Sequence, residues 1–110
     1  MIEALLDGKL FGKPMLRQGN EGKAFVTAKL RTAVGNGEIL FASLIAFDEH
    51  ARAALLGLDD GDRISAVGTL TPKVWTSHDG EARPALDVLA HQALSTYHAT
   101  RKRRAVRGEE

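Results

Sequence analysis

The sequence predicts a small all-β domain, a five-stranded barrel with one short helix between the third and fourth strands. Two observations carry this expectation. Turn signals recur at short intervals, at Gly19-Asn20 with Gly22, Asn36-Gly37, Asp59-Asp60-Gly61 and Asp79-Gly80, and Asn-Gly and Asp-Gly are strong hairpin signals because both residues tolerate positive φ. Between the turns lie short runs that either alternate apolar with polar residues or are apolar throughout, as expected of half-covered and fully covered strands. A length of 110 residues, 44% hydrophobic and 26% charged, fits one domain.

The first strand is expected over Glu3 to Phe11, ended by Gly12 and Pro14. The second, Lys23 to Thr32, alternates: Ala24, Val26, Ala28 and Leu30 share one face, and Phe25, Thr27, Lys29 and Arg31 the other. The third, Glu38 to Phe47, is apolar nearly throughout, and its β-branched and aromatic content favours strand over buried helix. Asp48 then suits an N-cap, Ala51 to Leu56 favours helix, and Gly57 can end it. A fourth strand, Arg63 to Trp75, contains Gly68 and Pro72 as candidate bends, and a fifth runs from Arg83 to His91. Five strands with a helix between the third and fourth is the order of the OB-fold, a partly open five-stranded barrel.

Chemistry that needs a dedicated motif is missing from the sequence. Without cysteine there is no disulfide and no thiolate metal site. The histidines His50, His78, His91 and His98 form no HExxH pair, and neither a GxSxG nor a Walker A pattern occurs. The carboxylates Asp59, Asp60 and Asp62 fall in a loop, where a solvated turn is the simpler reading. The expectation is a protein that is not an enzyme and uses no cofactor. The first apolar stretch, Ile2 to Leu6, is interrupted by Glu3 and is too short for a secretory or membrane segment. A soluble cytoplasmic protein with no membrane partner is therefore expected.

The net charge of +1 divides unevenly. Residues 101–110, RKRRAVRGEE, carry five positive and two negative charges, so the rest of the chain is weakly acidic. Such a body does not coat duplex phosphate by charge alone, but segregated charge still permits one basic face. Parity on the third strand sets Phe41, Ser43, Ile45 and Phe47 opposite Leu40, Ala42, Leu44 and Ala46. If the smaller aliphatic set faces inward, both phenylalanines face outward. On the fourth strand, Ile64, Ala66, Gly68 and Leu70 facing inward would turn Thr69, Thr71, Lys73 and Trp75 outward. Cations and aromatics on one face suit sequence-tolerant binding of single strands, because every base offers a π-face and every nucleotide a phosphate. Two readings stand at this point. Phe41, Phe47 and Trp75 stack bases while Lys29, Arg31 and Lys73 contact phosphates, or the aromatics fill a subunit interface or barrel end beside an ordinary solvated face.

Over roughly residues 2–93 the chain resembles the bacterial single-stranded DNA-binding (SSB) family. The resemblance rests on Leu6 to Gly12, on the second strand AFVTAKLRT, on Gly61-Asp62-Arg63-Ile64 and Gly68-Thr69-Leu70, and on KVWTSHDG from Lys73 to Gly80. It implies an OB-fold that binds single-stranded DNA as a homo-oligomer, usually a tetramer, in replication, recombination or repair, cytoplasmic and associated with the nucleoid. It also implies stacking roles for Phe41, Phe47 and Trp75. The connection from Ala33 to Glu38 is short and lacks an aromatic, and Ser43 stands where a basic residue is common. In place of a linker and acidic tail the chain ends in RKRRAVRGEE, so tail-mediated recruitment of repair enzymes is not expected. The runner-up is the tail-less, dimeric PriB-like branch used in replication restart, and a third reading is an OB module that contacts protein. The expected organisation is a binding domain over 1–94 and a basic tail over 95–110, the tail serving as a phosphate-binding arm.

Overall fold

The structure is a computed structural model that describes residues 1–95. In chain order it contains β1 (Ile2–Leu10), β2 (Met15–Gln18), a 3-10 turn (Asn20–Gly22), β3 (Ala24–Ala33), β4 (Ile39–Ala46), α1 (Glu49–Leu56), β5 (Arg63–Thr76) and β6 (Ala82–Ser95). The basic segment 101–110 lies outside the described residues. β6 runs four residues past the expected His91 because Ala93 is buried and its neighbours pair with the start of β5.

Alternation on β3 and β4 closes the sheet around an apolar interior. Val26 and Leu30 from β3 and Ala42, Leu44 and Ala46 from β4 are buried, as the parity of each strand predicts. Leu6 and Leu10, Ile64 and Ala66, and Val88, Ala90 and Ala93 complete the core from β1, β5 and β6. Sheet order is β1-β5-β6-β4-β3, and β1 returns to pair with β3 at Lys9 and Leu10, so five strands form a ring. All ring contacts are antiparallel except β4 with β6, which is parallel. Thr32, the one buried polar residue among those described, donates its hydroxyl to the Asp7 carbonyl at 2.6 Å, which ties β3 to β1 beside the closure. The short β2, which the sequence pattern does not predict, pairs with β3 outside the ring from Met15 to Gln18.

The helix forms as expected. The Asp48 carboxylate accepts from the Ala51 N–H at 3.1 Å, and Gly57 follows the last turn. Ala51 and Leu55 are buried on its inner face and join the core, the helix lying against β6 and β3. The two long hairpins close alike: Gly37 N–H donates to the Val34 carbonyl and Gly80 N–H to that of Ser77, each at 2.9 Å. Within these two turns only the glycines take positive φ, at 86° and 80°. Asn36 and Asp79 keep negative φ, and their side chains accept from Glu38 N–H at 2.9 Å and Glu81 N–H at 3.1 Å. The Ser77 hydroxyl, followed by the Glu81 N–H, holds the exposed Asp79 carboxyl below its ordinary range.

Candidate functional site

The outward side chains form rows across the sheet because directly paired residues share a face. One row runs Lys29, Ser43, Asp87, Thr71 and the next Thr27, Ile45, Leu89, Thr69, from β3 through β4 and β6 to β5. Arg31 pairs with Phe41, Lys73 with Ala85 and Trp75 with Arg83 at one end of this face. Beyond Leu70 every residue of β5 is exposed, so the β5–β6 hairpin carries Lys73 and Trp75 past the covered barrel.

At this end lies an open groove of about 350 Å³ bordered by Phe11, Phe41, Trp75, Lys29 and Lys73, with Ser43 and the small, buried Ala85 among its lining. Phe11 and Phe41 meet edge to face, their ring centroids 5.5 Å apart and their planes at 69°. Such pairs contribute about 0.5–1.5 kcal/mol beyond their area. The Arg31 guanidinium sits 5.9 Å from the Phe11 ring centroid, within cation–π range. Phe11 is 53% and Trp75 43% exposed, so both rings keep free surface. Phe11 N–H donates to the Lys29 carbonyl at 2.8 Å, which fixes it beside β3 after β1 has ended.

Four of the six expected residues, Lys29, Phe41, Lys73 and Trp75, therefore share one groove, and Arg31 stands at its border. Phe47 does not join them. It lies six positions along from Phe41, about 20 Å at strand spacing, where it meets Phe25 at a centroid distance of 5.7 Å. Lys73 is paired with the Asp87 carboxylate, whereas Lys29 makes no ion pair among the described residues. An exposed pair of that kind stabilises by only about 0–1 kcal/mol, so Lys73 can leave Asp87 at little cost. Sequence reasoning missed Phe11, which it treated as the end of a strand. The signal available was the parity of Lys9 and Phe11 against the buried Leu6 and Leu10.

The loop carboxylates bind backbone. Asp60 accepts from Gly12 N–H at 2.7 Å, which ties its loop to the end of β1, and Asp62 from Asp59 N–H at 2.8 Å, which closes the turn. His50 and His78 are both exposed. Among the described residues no three His, Asp or Glu side chains are placed to hold a metal, and no helix is long and apolar enough to cross a membrane.

The closed ring, the parallel β4–β6 contact and the helix between β4 and β5 define an OB-fold. Solved structures share it along most of their length. The small single-stranded DNA-binding protein of Streptomyces coelicolor is similar with a TM-score of 0.69 at 20% identity, over 86% of this chain and 93% of that one. Plasmodium falciparum SSB in complex with ssDNA is similar with a TM-score of 0.60 at 15% identity, over 86% of this chain and 94% of that one. No family model matches the sequence, and the search of curated proteins finds no match.

Proposed function

We propose that the protein binds single-stranded DNA without catalysis, stacking bases in the groove of Phe11, Phe41 and Trp75 and neutralising phosphates with Lys29, Arg31 and Lys73. The observation that carries this reading is the convergence of three exposed or half-exposed aromatic rings with cations on one open face. Such a groove accepts a flexible strand, whose unstacked bases can lie against the rings as those inside a duplex cannot. The two structural neighbours, named as single-stranded DNA-binding proteins, support the same reading. The role that follows is protection of exposed strands in replication, recombination or repair.

Titration with oligo(dT) tests it. Trp75 is the only tryptophan, so binding quenches its emission, single strands are preferred to duplex, and affinity falls with salt. Absence of both quenching and a gel shift at low salt would refute the reading. Residues 101–110 are proposed as an additional phosphate-binding arm on the strength of their five Lys and Arg. Their deletion then flattens the salt dependence by about 0.7 in slope for each phosphate no longer neutralised, while an unaltered slope assigns them no role in binding.

Self-association is the second part of the proposal. Leu5 is 65% and Ile2 51% exposed on β1, and this strand has no sheet partner on its second edge before Lys9. Sedimentation is expected to return a dimer or tetramer. A dimer would favour the PriB-like branch, and a monomer at all concentrations would remove the proposal.

A further inference from the structure

Ring closure aligns three like charges. Lys9 on β1 pairs directly with Arg31 on β3 and, on its other side, with Arg63 on β5. All three side chains lie on the outer face, in contact with solvent. Neighbouring strands lie about 4.8 Å apart, and like charges directly opposite each other destabilise a sheet. None of the three makes an ion pair among the described residues. Elsewhere on the surface Lys13 pairs with Asp59, Lys73 with Asp87 and Arg83 with Glu81. Asp7, the carboxylate residue lining the same groove of about 430 Å³, accepts the Ser65 hydroxyl. The row is continuous with the aromatic groove, because Arg31 pairs with Phe41 on its far side.

We propose that Arg63, Lys9 and Arg31 form a phosphate track, along which the sugar-phosphate backbone of a bound single strand leaves the aromatic groove and follows the barrel wall. The inference rests on the proposed single-strand binding and extends it to a groove whose lining holds no aromatic residue. A row of unpaired cations is costly in the free protein and favourable once an anion lies across it. This separates it from an ordinary solvated face, where each charge acts alone.

The test compares the full-length protein with Lys9→Gln, Arg63→Gln and the double variant, using oligo(dT) and an abasic strand of the same length. Lys23→Gln, in the loop before β3, serves as the charge-matched control. Each track substitution is expected to leave thermal stability unchanged or raised. Each should flatten the salt slope by about 0.7 and weaken binding about fivefold at 0.1 M salt, and the double variant should weaken it about 25-fold. The weakening should be equal for oligo(dT) and the abasic strand, since the track reads phosphate and no base. Unchanged slopes and affinities in variants of a protein that binds oligo(dT) would overturn the track alone. An equal weakening in Lys23→Gln would do the same, by showing that only net charge matters. Failure of the unsubstituted protein to bind oligo(dT) would overturn both the track and the reading beneath it.

Discussion

Phe41→Ala and Trp75→Ala each weaken oligo(dT) binding by about 1–3 kcal/mol, the contribution of one stacked base, or roughly 5- to 150-fold in affinity. The two rings border the same groove, Phe41 from β4 and Trp75 from the projecting β5–β6 hairpin. Their coupling is therefore informative. If one base lies between them, the double variant weakens binding by less than the two single variants together. If they hold successive bases, the effects add. Because Trp75→Ala removes the emission signal, a labelled oligonucleotide measured by anisotropy serves all three variants. Phe41→Leu separates stacking from packing: it retains apolar packing against Phe11, so an effect close to that of alanine attributes binding to the ring face. Affinities unchanged in both single variants would place the binding surface elsewhere on the barrel.

Gly68→Ala has the largest expected effect on stability. A Cβ at this position would lie 2.0 Å from the Leu89 carbonyl oxygen and 2.8 Å from its carbon. The register of β5 with β6 shifts between Val67 and Gly68, and the strand bends there so that the sheet can close. The obstacle is backbone, which cannot rotate away as a side chain can, so the cost lies near the upper end for overpacking, about 3 kcal/mol. For a domain of this size that lowers Tm by roughly 10–20 °C. Gly35→Ala is the matched control, because nothing lies within 4 Å of its added carbon; its effect should stay within about 0.5 kcal/mol. Denaturation followed by far-UV circular dichroism measures both. Equal stability of the two variants would show that the β5–β6 bulge relaxes without resistance.

Much of the barrel was legible because burial imposes a two-residue period. Val26 and Leu30, then Ala42, Leu44 and Ala46, are buried where parity places them, and Asp48 caps the helix it precedes. What stayed hidden has one of two physical causes. β2 is four residues long and wholly exposed, so it carries no burial alternation to detect. The pairings of Lys9 with Arg31 and Arg63, and the ion pair of Lys73 with Asp87, depend on strand register between distant segments. Period fixes the face on which a side chain lies but not its neighbour across the sheet. Phe11 combined both causes, standing past the end of β1 and meeting its partner Phe41 from a distant strand.

The double pairing of β1 also orders events during folding. β3–β4 and β5–β6 are hairpins with short turns, and hairpins form within about 1–10 μs. β1 must instead find β5 with Ile2 beside Leu70 and Lys9 beside Arg63, across most of the chain. Non-local closure of that kind sets the pace of folding. An anion track that straddles the closure comes into being only with the finished ring. A chain with both hairpins formed and β1 still free would already carry Phe41 and Trp75, yet would have no continuous row of cations to hold a backbone.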